Sequence, residues 1–116
     1  MKGRNYRVFL QHILQECEFL IENSRILSYE EFVNNPVFQR AFVRNLEVVG
    51  EAVKNLPTEF KSSYSHIPWK SIAGMRDVLI HEYFGIDYEL VWKVVEESIP
   101  SLRKEILRIL SNAEDK

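Results

Sequence analysis

The chain has 116 residues, 46% of them hydrophobic and 28% charged, enough for one domain with a real core and too few for two. Lys plus Arg is 15 and Asp plus Glu is 17, giving a net charge of -2 and a pI near 5.9. That balance excludes a protein that coats nucleic acid through its overall field, so any such contact has to be local. The single cysteine, Cys17, excludes an internal disulfide framework and a CxxC zinc site, and four Gly with four Pro are too few for an all-β fold.

Lys2, Arg4 and Arg7 precede an apolar stretch, the pattern with which a signal peptide begins. Gln11, His12, Gln15 and Glu16 break that stretch, and no small-residue cleavage site follows. No segment approaches the roughly 18 unbroken apolar residues of a membrane span. A cytoplasmic single domain over residues 1–116, with no membrane partner, is the expectation.

Tyr6, Phe9, Leu10, Ile13, Leu14, Cys17, Leu20 and Ile21 recur at steps of three and four, predicting a helix from about residue 4 to 24. Ser28 and Glu31 have capping-box spacing. Asn34-Asn35-Pro36 then starts a second long helix, to about residue 56, whose stripe is Phe38, Phe42, Leu46, Val49, Val53 and Leu56. Residues 57 to 68, rich in Pro and Ser, read as a loop. A third helix is expected from Pro68 to about Tyr83, stopped by Gly85. Asp87 caps a fourth, with Leu90, Val91, Val94, Val95 and Ile99, which kinks or restarts at Pro100 and continues through Leu102, Ile106, Ile109 and Leu110. The polar tail from Ser111 is expected to fray. The fold class is all-α, an up-and-down bundle of four to five helices with the last kinked or broken near Pro100.

The third helix carries the one unusual stretch. Its apolar stripe is Trp69, Ile72, Ala73, Leu79 and Ile80, and Arg76 falls in the middle of it. An arginine there snorkels out, pairs with an acid, or lines a polar cleft; Glu47 and Glu51 on the second helix are the candidate partners. His81 follows Asp77 by four residues, so carboxylate and imidazole would share one helical face, a pairing suited to a general acid or base and equally to a helix-end histidine. In a regular helix His81 points ~140° away from Arg76. The two converge only if the helix unwinds before Phe84-Gly85 or if a second subunit supplies the other half.

Arg76-Asp77-Val78-Leu79-Ile80-His81-Glu82-Tyr83 has the form R-x4-H-x-Y. On the third helix of a small bundle, it resembles the signature of the HEPN superfamily, and most closely that of HepT-like toxins of prokaryotic toxin–antitoxin pairs. The likeness also takes in Val49-Gly50-Glu51-Ala52, Ile67-Pro68-Trp69, Tyr83-Phe84-Gly85-Ile86-Asp87 and Val91-Trp92, and spans about residues 5 to 110. It implies a five-helix fold and a metal-independent, cofactor-free endoribonuclease in which the RNA 2′-hydroxyl attacks the adjacent phosphate. Carried over by position, His81 would be the general acid/base, and Arg76 would stabilise the pentacovalent phosphate. Asp77 and Tyr83 would support the site, with Glu51 beside it. Tyr83 would also accept AMP from a nucleotidyltransferase antitoxin. The resemblance further implies a homodimer with facing motifs, and RNA as substrate with no DNA expected.

The other candidates carry less. Cys17 lies on the apolar stripe five residues from His12, as a core cysteine does, and His66 has no ligand-type neighbour at metal spacing. No Gly-rich phosphate loop, GxSxG or HExxH is present. Trp69 and Trp92 read as core or interface residues, and Glu96, Glu97, Arg103, Lys104 and Arg108 as a solvated helix face. The alternative function is a non-catalytic helical module that binds a nucleotide or a nucleotidyltransferase partner.

Overall fold

The computed structural model describes the backbone of residues 2–81 and 85–114, and the side chains of residues 6–75, 77, 79 and 85–112. In chain order it comprises α1 (Lys2–Ile26), α2 (Tyr29–Val33), α3 (Pro36–Lys54), α4 (Thr58–Ser63), α5 (Trp69–Ala73) and α6 (Met75–Leu79). A two-residue hairpin, β1 (Ile80–His81) and β2 (Gly85–Ile86), leads to α7 (Tyr88–Lys93), a π turn (Val94–Ser98) and α8 (Ile99–Glu114). The architecture is an all-α bundle whose long members are α1, α3 and the α7–π–α8 rod.

Local chemistry sets most of the boundaries. At α2 the capping box forms in full: the Glu31 N–H donates to Ser28 Oγ at 3.1 Å and the Ser28 N–H to Glu31 Oε1 at 2.8 Å. Asn35 Oδ1 accepts from the Phe38 N–H at 3.1 Å ahead of Pro36, the first residue of α3, whose missing N–H costs nothing there. Asp87 Oδ1 accepts from the Leu90 N–H at 3.0 Å and opens α7.

The core runs between α1, α3 and α8. Leu10, Ile13, Cys17 and Leu20 of α1, Phe42, Val49 and Val53 of α3, and Ile106 of α8 are fully buried. Phe32 locks α2 onto this core, with its ring centroid 5.1 Å from that of Phe42 and 5.3 Å from that of Trp92. Trp69 and Trp92 are both buried. The indole N–H of Trp69 is shared between the carbonyls of Lys61 and Tyr64, each at 3.1 Å, which pins the start of α5 to the preceding segment.

Two expectations need correction. Residues 57–68 are not all loop: Thr58–Ser63 form α4, and Phe60 stacks on Tyr6 at 4.5 Å. The third helix does not run on to Tyr83. It breaks at Gly74, resumes as α6 and ends at Leu79, after which Ile80 pairs with Ile86 and His81 with Gly85. Gly85, with φ at +83°, therefore belongs to the hairpin and is not a helix stop. The last helix is interrupted near Pro100, as expected. It widens into the π turn just before it, a local adjustment to the ring clash and missing donor, while Lys93, Val94 and Ile99 keep right-handed helical dihedrals.

Candidate functional site

The motif-bearing segment is held against α3 by a close backbone approach. A Cβ on Gly50 would lie 3.3 Å from the Ala73 carbonyl oxygen and 3.4 Å from that of Ile72. A side chain here would have to push the backbone of α5 away by a few tenths of an ångström, so the glycine beside Glu51 suits this close approach of α3 and α5. On the far side, Met75 and Leu79 are buried and fix the roll of α6. Arg76 follows Met75 directly, so its backbone sits in the first turn of α6, and α6 packs against α3.

At its C-terminal end the segment changes character. α6 stops at Leu79, whose carbonyl accepts from the Asp87 N–H at 2.9 Å across the hairpin. His81 lies in β1 opposite Gly85. The expected sharing of one helical face by Asp77 and His81 is therefore corrected, because an extended residue at 81 no longer sits one helical turn from Asp77. The same change removes the fixed angle between Arg76 and His81 that a regular helix would impose. The helix does end before Phe84-Gly85, one of the two conditions under which those residues could converge.

Of the candidate side chains, Asp77 and Glu51 are exposed, and Glu47 is half-buried and engaged with a neighbour. Glu47 and Glu51 line a polar groove of about 340 Å³ between α1 and α3, together with His12 and Arg44. The side chains of Arg76 and His81, and the whole of Tyr83, lie outside the described residues.

Two features escaped the sequence. An apolar groove of about 590 Å³ separates α5 and α6 from the α7–π–α8 rod. At its mouth His66 Nε2 lies 3.0 Å from Glu105 Oε1, and Arg108 lies 3.6 Å from the other carboxylate oxygen. The His66 hydrogen bond, with help from Arg108, holds the Glu105 carboxyl below the ordinary carboxylate range. The separation of 39 positions from His66 to Glu105 gives no local spacing by which the pair could have been found.

Among the described residues, no group of three or more His, Cys, Asp or Glu is placed to hold a metal ion. Burial pushes the Cys17 thiol up to about 12, with Glu16 and Glu18 adding to the effect, so it is a protonated core group at neutral pH. No helix among the described residues is long and apolar enough to cross a membrane.

The family model described as "Ribonuclease HepT-like" matches residues 13–109. The chain belongs to the HepT-like ribonuclease family. Within that family it is 59% identical over 104 residues to "Putative RNase TTE0752" of Caldanaerobacter subterraneus subsp. tengcongensis, covering 90% of this chain and 93% of the relative. It is 44% identical to "Putative RNase MJ0125" of Methanocaldococcus jannaschii over the full length of both. It is 43% identical to "Probable ribonuclease HepT" of Thermococcus cleftensis, over 86% of this chain and 91% of the relative. No solved structure matches the chain significantly. HepT-like membership supports a ribonuclease-type function and agrees with the resemblance carried by the R-x4-H-x-Y string.

Proposed function

We propose that the protein is a toxin-type, metal-independent endoribonuclease. The observation that carries this reading is the R-x4-H-x-Y string of a HepT-like ribonuclease, set where α6 gives way to the hairpin. The RNA 2′-hydroxyl attacks the adjacent phosphorus, the bond to the 5′-oxygen breaks, and the products are a 2′,3′-cyclic phosphate end and a 5′-hydroxyl end. His81 serves as the general acid/base, removing the 2′-hydroxyl proton or supplying one to the leaving 5′-oxygen, a role suited to a group that titrates near neutral pH. Arg76 stabilises the extra negative charge of the pentacovalent phosphate, for which a rigid fork of donors is well matched. Asp77 and Glu51, both exposed, take supporting roles in this reading.

The same reading makes the protein a cytoplasmic homodimer with the two motifs facing each other. A nucleotidyltransferase-type antitoxin neutralises it by attaching AMP to Tyr83, adding bulk and negative charge where the RNA phosphate must sit. Substitution Tyr83→Phe tests this step. Mass spectrometry after incubation with the partner and ATP is expected to show the AMP increment on the wild type and an unchanged mass for the variant. An increment on the variant would move the acceptor elsewhere.

A further inference from the structure

The apolar groove between α5–α6 and the α7–π–α8 rod is not needed for the chemistry above. Ile72, Met75 and Leu79 form one wall, and Leu90, Val94 and Leu102 the other. Its volume of about 590 Å³ lies within the range of roughly 300–1,000 Å³ typical of ligand clefts. The charged residues that line it are His66, Glu97 and Glu105; no Lys or Arg among the described residues does. Glu105 is engaged by His66 and Arg108, whereas Glu97 is exposed and has no partner among the described residues. The hydroxyls of Ser71, Ser98 and Ser101 complete the rim.

This combination restricts the occupant. An RNA strand would set phosphates against a free carboxylate over an apolar floor, with no Lys or Arg among the described lining residues to hold them. A two-fold pairing of the groove with itself would bring two unpaired Glu97 carboxylates onto one shared rim. An amphipathic helix meets both demands, filling the floor with side chains at i, i+3, i+4 and i+7 and reaching Glu97 with a Lys or Arg. We infer that this groove docks an amphipathic helical segment of a partner protein, apolar along one stripe and basic along its flank. Because Met75 and Leu79 belong to α6, the occupant would grip the helix that carries Arg76. The inference rests on the groove and not on the ribonuclease reading, so either can fail alone.

The test uses the full chain and two synthetic helical peptides with the same Leu stripe, one flanked by Lys and the other by Glu. Binding is followed by fluorescence anisotropy and by methyl NMR. The Lys peptide is expected to bind about fivefold more tightly than the Glu peptide, the scale of one exposed ion pair. Glu97→Lys should erase or invert that preference, and the methyl shifts should fall on Ile72, Met75, Leu90 and Leu102. Ser98→Trp, a change at an exposed rim position, should block the peptide while leaving the fold and the oligomeric state unaltered. Equal affinity for the two peptides, absence of binding, or shifts outside the groove would overturn the inference. So would loss of a dimer in Ser98→Trp, which would show that a second copy covers the groove.

Discussion

Gly50 shows how one missing side chain positions a site. Its α-carbon faces the carbonyls of Ile72 and Ala73 at a distance where a Cβ would stand at 3.3–3.4 Å from both oxygens. These are backbone atoms within a helical turn and cannot swing aside as a flexible side chain would. Gly50→Val is therefore expected to destabilise the fold by about 1–3 kcal/mol, the scale of overpacking, and to push α5 away from α3. Urea unfolding measures the first effect, and amide shifts of residues 70–75 report the second. A variant as stable as the wild type would show that the close approach is not tight. Glu105 carries a second prediction at this scale. Its folded pKa lies below its ordinary value of 4.5, so its bond to His66 contributes fully above that pH and is lost as pH falls through the lowered folded value. Glu105→Gln should lower stability near neutrality, where the ionised carboxylate contributes, and flatten the acid limb between about pH 5 and pH 3, so that the variant and the wild type converge in acid. Thermal melts across that range measure it, and an unaltered acid limb would assign the loss to other carboxylates.

At the scale of elements, legibility followed locality. Ser28 with Glu31, Asn35 with Phe38 ahead of Pro36, and Asp87 with Leu90 each set a boundary through a bond between residues three positions apart, and all three boundaries could be read from the string. α4 could not, because Thr58–Ser63 has no apolar stripe; Phe60 is held by ring contacts with Tyr64, with Trp69 and, more than fifty positions earlier, with Tyr6. The end of the third helix was hidden for the opposite reason. Leu79, Ile80 and Tyr83 keep helical spacing, so periodicity continues past the point where the backbone turns extended. What decides is pairing with Gly85–Ile86, a tertiary term that propensity does not contain. The R-x4-H-x-Y residues were visible in sequence, but the hairpin that separates His81 from α6 was not. Gly85 pairs with His81 in that hairpin, and its φ of +83° is one that residues with a side chain rarely adopt. Gly85→Ala should cost about 1–2 kcal/mol and loosen the pairing that places His81. Hydrogen exchange at Asp87, whose N–H donates to the Leu79 carbonyl across the hairpin, would show faster opening, and unchanged protection would mean that the pairing does not depend on this glycine.

At the scale of the molecule, the net charge of -2 leaves little long-range attraction for RNA, so capture and chemistry must both come from a compact local site. The fold suits that need: a rigid core of α1, α3 and α8 supports a short interrupted helix and hairpin on which Arg76 and His81 are strung. The central claim is that these two residues cleave RNA without a metal. The most direct test incubates purified wild type, Arg76→Ala and His81→Ala with total RNA and tRNA in EDTA, and analyses the 3′ ends of the fragments. Cyclic-phosphate ends from the wild type alone, with both variants folded and inactive, are the expected result. Intact RNA with clean, unmodified wild type, or equal cleavage by the variants, would contradict the account and favour a helical module that binds its partner without cutting RNA.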